Sequence, residues 1–186
     1  MEQYQDIWIK GSVTPGVREC AARYPVIKKV LEQYKRPFTV LDIGANLGYF
    51  SFRIAEDFPK STCVLIENKY DKQLTQLAQD NDSNNVIILN YTATADKLIE
   101  LSETDHFDVV LCLNIIHHLD NVKKSIVAIE KLGETIIVET PIANQENCSE
   151  KKLLQTYSHI KKNYSEIGLF TRFSPTSKGL MATKKM

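Results

Sequence analysis

The stretch TVLDIGANLGYFSFRIAE, residues 39–56, decides the fold. FTVLDIG (38–44) is short, apolar and β-branched, the pattern of a buried strand. GANLG follows, and its glycines, Gly44 and Gly48, let the backbone turn sharply and come close to a ligand. LGYFSFRIAEDF (47–58) then places Leu47, Phe50, Ile54 and Phe58 at helical spacing until Pro59 stops the helix. A strand, a glycine turn and a helix together form a unit that holds nucleotide-like ligands at the C-terminal edge of a parallel sheet.

The same alternation continues downstream. STCVLIE (61–67), NVIILNY (85–91), FDVVLCLNII (107–116) and ETIIVET (134–140) read as strands. YDKQLTQLAQDN (70–81), ADKLIELSE (95–103) and NVKKSIVAIEKL (121–132) read as helices, the last ended by Gly133. Five strands without polar alternation, joined by helical crossovers, predict a parallel sheet covered on both faces. After Pro141 the pattern changes. SEKKLLQTYSHIKKNY (149–164) reads as a helix, and EIGLFTRF (166–173) and GLMATKKM (179–186) as an antiparallel hairpin turning at SPTSK. The expected fold class is therefore α/β: a three-layer α-β-α sandwich whose seven-stranded, mostly parallel sheet ends in a hairpin. Residues 1–37 are expected to form an arm, irregular from Tyr4 to Thr14 and then two short helices broken at Pro25. The chain reads as one domain of 186 residues, with the arm as a lid or substrate-side cap.

Composition narrows the partners. Lysine plus arginine and aspartate plus glutamate both number 23, so the strongly basic footprint of a nucleic-acid binder is absent. Cys20, Cys63, Cys112 and Cys148 are too scattered for a metal motif, and Cys63 and Cys112 sit in apolar runs as core thiols. Nothing resembles a disulfide scaffold, a signal peptide or a membrane span, which predicts a cytoplasmic protein without a membrane partner.

The turn chemistry separates ligand classes. A dinucleotide site calls for GxGxxG, because the diphosphate rests on the helix N-terminus. This loop is Gly-x-x-x-Gly, with Asn46 in the middle and the carboxylate of Asp42 two residues before Gly44. A carboxylate there suits an ammonium or sulfonium charge better than a diphosphate. VLDIGANLGYFS (40–51) resembles motif I of the class I S-adenosylmethionine-dependent methyltransferases, usually hydrophobic-(D/E)-x-G-x-G-x-G, with Asn46 replacing the middle glycine. That family's fold, five βα units followed by a β-hairpin, is the order read over residues 38–186. The resemblance implies S-adenosylmethionine as methyl donor and S-adenosylhomocysteine as product. It implies a cofactor loop of Asp42, Gly44, Ala45, Asn46 and Gly48.

Glu67 ends the second strand, where an acid can accept both ribose hydroxyls of an adenosine and opposes a ribose phosphate. Asn68 and Lys69 would flank the adenine. The acid that the family often carries after the third strand is missing or displaced. Thr92 stands near the place, Asn90 and Asp96 are neighbours, and Asp96 can equally be a helix cap.

LCLNIIHHLDN (111–121) resembles the N-x-x-H-H-L form of motif IV in small-molecule methyltransferases of this class. The resemblance places Asn114 at the amino-acid part of the cofactor and His117 and His118 near the transferred methyl. Either histidine can take a proton from the acceptor, or both can simply shape the loop. Adjacent histidines rarely reach one metal, so a site from His117, His118 and Glu139 is disfavoured and no metal is expected. Methyl transfer needs alignment and exclusion of water rather than a catalytic triad.

Absent motifs narrow the acceptor. No NPPY or DPPY follows the fourth strand, against methylation of a DNA adenine or protein glutamine amine. Cys148 lies after the fifth strand without the Pro-Cys segment of RNA cytosine methylases, and no Lys-Asp-Lys-Glu set for ribose methylation is visible. A small-molecule or sugar (glycan) acceptor is expected first and RNA second, with no DNA partner. A basic strip of Lys151, Lys152, Lys161, Lys162, Lys184 and Lys185 would serve RNA, or is a solvated helix face. Tyr4, Trp8, Arg18, Arg23 and Tyr24 either meet an anionic or sugar-like acceptor or pack the arm onto the domain. Rival readings are a non-catalytic S-adenosylmethionine-binding module and, more distantly, a NAD-dependent oxidoreductase.

Overall fold

A computed structural model describes residues 3–142, 150–171 and 178–186. Cys148 and most of the SPTSK turn lie outside the described residues. The main sheet has seven strands, mostly parallel, and closes in an antiparallel hairpin, the α/β arrangement expected. The chain divides into two compact units, residues 1–92 and 93–186.

The first unit opens with a small hairpin, β1 (Ile7–Ile9) and β2 (Ser12–Thr14), where an irregular segment was expected. Lys10 and Gly11 make its two-residue turn, both at positive φ (44° and 81°), which matches the right-handed twist of the strands. Pro25 does not break a helix. It occupies the first turn of a single helix, α1 (Tyr24–Leu31), where its missing N–H costs no hydrogen bond. Then come β3 (Thr39–Ile43), α2 (Tyr49–Asp57), β4 (Thr62–Ile66), α3 (Asp71–Asp80) and β5 (Val86–Leu89). The strands pair in parallel in the order β5-β4-β3, with Asp42 opposite Leu65. Val40, Leu41, Ile43, Ile54, Leu65 and Leu74 form its sealed core.

The arm is fastened to this unit. Arg53 of α2 lies over the rings of Trp8 (4.3 Å) and Tyr24 (3.9 Å) and donates to the Tyr49 hydroxyl at 3.0 Å. Trp8 Nε1 donates to Glu56, and Asn81 Nδ2 donates to the Trp8 carbonyl at 2.9 Å. Tyr24 donates to Asp57 at 2.6 Å, and burial, followed by the Asp57 carboxylate, pushes its phenol up. Arg18 and Arg23 are buried. Arg18 donates to the Tyr4 hydroxyl, and Arg23 donates to the Glu19 carbonyl while lying 5.0 Å from the Phe50 ring centre. Of the two readings of this cluster, packing of the arm is the one these contacts describe.

The second unit contains α4 (Ala95–Thr104), β6 (Phe107–Leu113), a 3-10 turn (Ile116–His118), α5 (Val122–Leu132), β7 (Gly133–Pro141), α6 (Glu150–Asn163), β8 (Ser165–Thr171) and β9 (Lys178–Lys185). The strand order is β6-β7-β9-β8: β6 and β7 are parallel, and β9 is antiparallel to both neighbours. Gly133 opens β7 in extended conformation (φ −156°) rather than capping α5 by left-handed geometry. It must be glycine because a Cβ there would lie 2.6 Å from the Val110 side chain. Thr94, not Asp96, caps α4, while Asp96 is exposed in the first turn near Lys124. No helix among the described residues is long and apolar enough to cross a membrane.

Candidate functional site

The glycine loop follows β3, and the curvature of its backbone explains its sequence. Gly44, Asn46 and Gly48 have φ of 73°, 56° and 70°. Asparagine is the side chain that best tolerates this left-handed region after glycine, so Asn46 can stand where the motif usually has glycine. Gly48 is required twice over, because a Cβ on it would lie 2.6 Å from Phe52 and 2.9 Å from Leu74.

Every amide of the loop is satisfied within the first unit. Gly44 and Ala45 both donate to the Ile66 carbonyl (2.9 and 3.2 Å), and Gly48 donates to the Ala45 carbonyl (2.9 Å). Asn46 donates to Glu67 Oε2 at 2.9 Å. Leu47 donates to the side-chain oxygens of Asn46 (2.9 Å) and Gln5 (3.1 Å). A phosphate-binding loop points such amides at its ligand. These five are already used, so the loop is a preformed wall rather than an anion cradle.

Two carboxylates frame the wall. Asp42 is buried and accepts from Ser51 Oγ at 2.7 Å. Burial pushes its carboxyl up to about 6; the Ser51 bond works against that rise, and Glu67 adds slightly to it. Glu67, just past β4, accepts the amides of Asn68 (3.0 Å) and Lys69 (2.8 Å) on Oε1, besides that of Asn46 on Oε2. A carboxylate offers about four acceptor positions, so Oε2 keeps room for a ligand hydroxyl. Asn68 Nδ2 donates to Thr92 Oγ1 at 2.6 Å, which ties the segment after β4 to the segment after β5. Asn90 instead donates to Asp71 of α3 at 2.8 Å. The first unit thus gathers Asp42, Gly44, Ala45, Asn46, Gly48, Glu67 and Asn68 around one turn.

In the second unit β6 ends at Leu113, earlier than its apolar run predicts, because Asn114 turns left-handed (φ 68°). Its amide donates to the Glu139 carbonyl of β7 at 2.9 Å. The two histidines separate on the 3-10 turn: His117 is buried, His118 is exposed, and their rings lie 4.2 Å apart. Lys152 of α6 donates to the Leu119 carbonyl at 2.6 Å, and Lys184 donates to Glu130 at 2.9 Å. Two members of the expected lysine strip are therefore engaged within the fold.

A family model described as a methyltransferase domain matches residues 41–132, from the centre of β3 to the end of α5. The chain belongs to the class I S-adenosylmethionine-dependent methyltransferases. S-adenosylmethionine is the methyl donor of that family, and S-adenosylhomocysteine is its product.

The methyltransferase domain is 30% identical over 138 residues to the tRNA U34 carboxymethyltransferases of Helicobacter pylori (strain Shi470) and Helicobacter acinonychis (strain Sheeba). These matches cover 67% of this chain and 49% and 48% of those proteins, so the chain spans about half the length of the curated relatives it matches. Among solved structures, the bifunctional kinase-methyltransferase WbdD superposes with a TM-score of 0.74 at 20% identity, covering 91% of this chain and 40% of that one. The N-terminal domain of EvdMO1, solved with S-adenosylhomocysteine bound, superposes with a TM-score of 0.66 at 11% identity, covering 98% and 91%. At these identities the structural likeness concerns the fold.

The motif-bearing residues were legible in the sequence, but two of their supports were not. Ser51 is a polar residue on the buried face of α2, and that misfit was its only signal. Gln5 had none, because it reaches the loop across 42 residues of chain.

Proposed function

We propose that this chain binds S-adenosylmethionine against the glycine loop and transfers its methyl group to a small-molecule or sugar acceptor. The observation that carries the proposal is the loop whose five amides are all internally bonded, flanked by the carboxylates of Asp42 and Glu67. Such a wall suits a cationic ligand with a ribose and no diphosphate. When bound, S-adenosylmethionine supplies a methyl on a sulfonium sulfur, which leaves with the electron pair of the carbon–sulfur bond.

Glu67 Oε2 accepts a ribose hydroxyl, and Asn68 with Thr92 borders the adenine. Gly44, Ala45, Asn46 and Gly48 shape the loop, and Asp42 supplies negative charge beneath it. Asn114, His117 and His118 enter through the second motif: Asn114 as a contact of the methionine end, the histidines as takers of the acceptor's proton. His118 is the exposed one of the pair and His117 the buried one. The arm over residues 1–37 is proposed as a lid or substrate-side cap. The cytoplasm is the proposed compartment.

The sugar reading is supported by EvdMO1, whose N-terminal domain was also solved in the presence of S-adenosylhomocysteine and D-fucose. RNA is the second reading, favoured by the name of the 30%-identical relatives, tRNA U34 carboxymethyltransferase. DNA is not proposed.

Calorimetric titration with S-adenosylmethionine and S-adenosylhomocysteine tests the cofactor. A folded sample that binds neither at millimolar concentration defeats the proposal. Turnover with a panel of small alcohols, sugars and amines separates an enzyme from a pure binding module. A salt-dependent mobility shift with tRNA, together with methylation of it, would move RNA to first place.

A further inference from the structure

Gln5 lies 42 residues before the amide its side chain reaches. Its Oε1 accepts the Leu47 N–H at 3.1 Å, in the middle of the cofactor loop. Leu47 shares that N–H with its neighbour's side chain, Asn46 Oδ1, at 2.9 Å. Asn46 itself sits in the left-handed region (φ 56°), so within the loop this amide depends on the side chain of a residue that must hold that conformation. Gln5 supplies the acceptor that does not depend on it.

The backbone of Gln5 is set before the side chain reaches out. Its carbonyl accepts from Gln3 Nε2 at 2.8 Å, and the residue bridges in parallel to Arg18. Val17 and Arg18 donate to the carbonyls of Gln3 and Tyr4 at 2.9 and 2.7 Å. Gly16 presses so close that a Cβ on it would lie 2.5 Å from the Gln5 carbonyl. Next along the chain, the buried Asp6 accepts the amides of Gly16 (2.8 Å) and Cys20 (2.7 Å), closing the arm into a compact turn. Gln5 itself is 8% exposed. A side chain held this firmly loses little further entropy when it holds the loop.

We propose that Gln5 is a positioning residue of the S-adenosylmethionine site: through the Leu47 amide it fixes the curvature of the glycine loop, so the N-terminal arm is a structural part of the cofactor wall. The inference rests on the cofactor reading above. Gln5 acts through the loop and need not touch the ligand.

Q5M keeps the shape of the side chain and removes the acceptor; Q5E keeps an acceptor at the same reach. Calorimetry with S-adenosylhomocysteine should show Q5M binding about 3- to 10-fold more weakly, the range of one hydrogen bond, and Q5E restored toward the parent. Equal binding by Q5M and the parent, or Q5E as weak as Q5M, overturns the proposal. A folded parent that binds no S-adenosylhomocysteine overturns the cofactor reading instead. A measurement on the unmutated protein covers the case in which Q5M does not fold: the Leu47 amide should exchange slowly with deuterium before ligand is added. Exchange at the rate of an exposed loop amide contradicts the bond.

Discussion

Asp42 shows how burying a single carboxyl costs stability. Its carboxyl titrates near 6 in the fold, against an ordinary value of 3.8, because it is buried. Between those values the folded state holds a proton that the unfolded state has lost, so stability falls as pH rises through the window and stays lowered above it. The cost above pH 6 is roughly 3 kcal/mol. Asp42→Asn keeps an acceptor for Ser51 and removes the charge. Urea denaturation at pH 4.5 and 7.5 should show the parent losing stability between the two values and the variant losing much less; an unchanged slope would place the titration elsewhere. Glu67 accepts three backbone amides, those of Asn46, Asn68 and Lys69. Glu67→Ala removes the proposed ribose acceptor and the anchor of the Asn46 amide together, so affinity for S-adenosylhomocysteine should fall by at least about tenfold. Unchanged affinity would remove Glu67 from the site. Gly48→Ala meets both a left-handed φ and two side chains at under 3 Å. It should cost about 2–4 kcal/mol in denaturant unfolding.

At the scale of elements, apolar runs placed every strand and helical periods every helix of the βα series, and the misses cluster where a different force wins. β6 stops at Leu113 because the backbone turns left-handed at Asn114, and an apolar run carries no sign of that turn. The β1–β2 hairpin was hidden because its turn is Lys10-Gly11 rather than the Asn-Gly that announces such turns. The lysines near the C-terminus read as one strip, yet Lys184 is drawn to Glu130. That carboxylate also takes the Tyr164 hydroxyl (3.0 Å) and His159 (3.2 Å), joining α5, α6 and β9. Burial alone would raise the Glu130 carboxyl; the bonds from Lys184, His159 and Tyr164 outweigh it and hold it below its ordinary range. Stability from this group is present above the ordinary glutamate value and is lost as pH falls through the depressed one. Glu130→Ala should therefore destabilise by about 2–3 kcal/mol at pH 7 and less at low pH. Thermal melts at both pH values check this, and a loss that does not vary with pH would assign the effect to packing.

At the scale of the whole molecule, the sequence by itself determined the α/β fold, the closing hairpin, the family and the glycine turn after β3. Those properties rest on local patterns: a short continuous apolar run for each strand, a 3.6-residue hydrophobic period for each helix, a glycine forced by positive φ, an acid at a strand end. Such patterns lie within one βα unit, so the chain displays them in order. The tertiary structure alone decided what holds the loop and which of the charged and aromatic residues are already engaged. Gln5 bonds Leu47, Ser51 bonds Asp42, Arg53 lies over both Trp8 and Tyr24, and Lys152 bonds the Leu119 carbonyl. A hydrogen bond or a stacked cation has no period and no preferred separation along the chain. It exists only where folding brings donor and acceptor within about 3 Å.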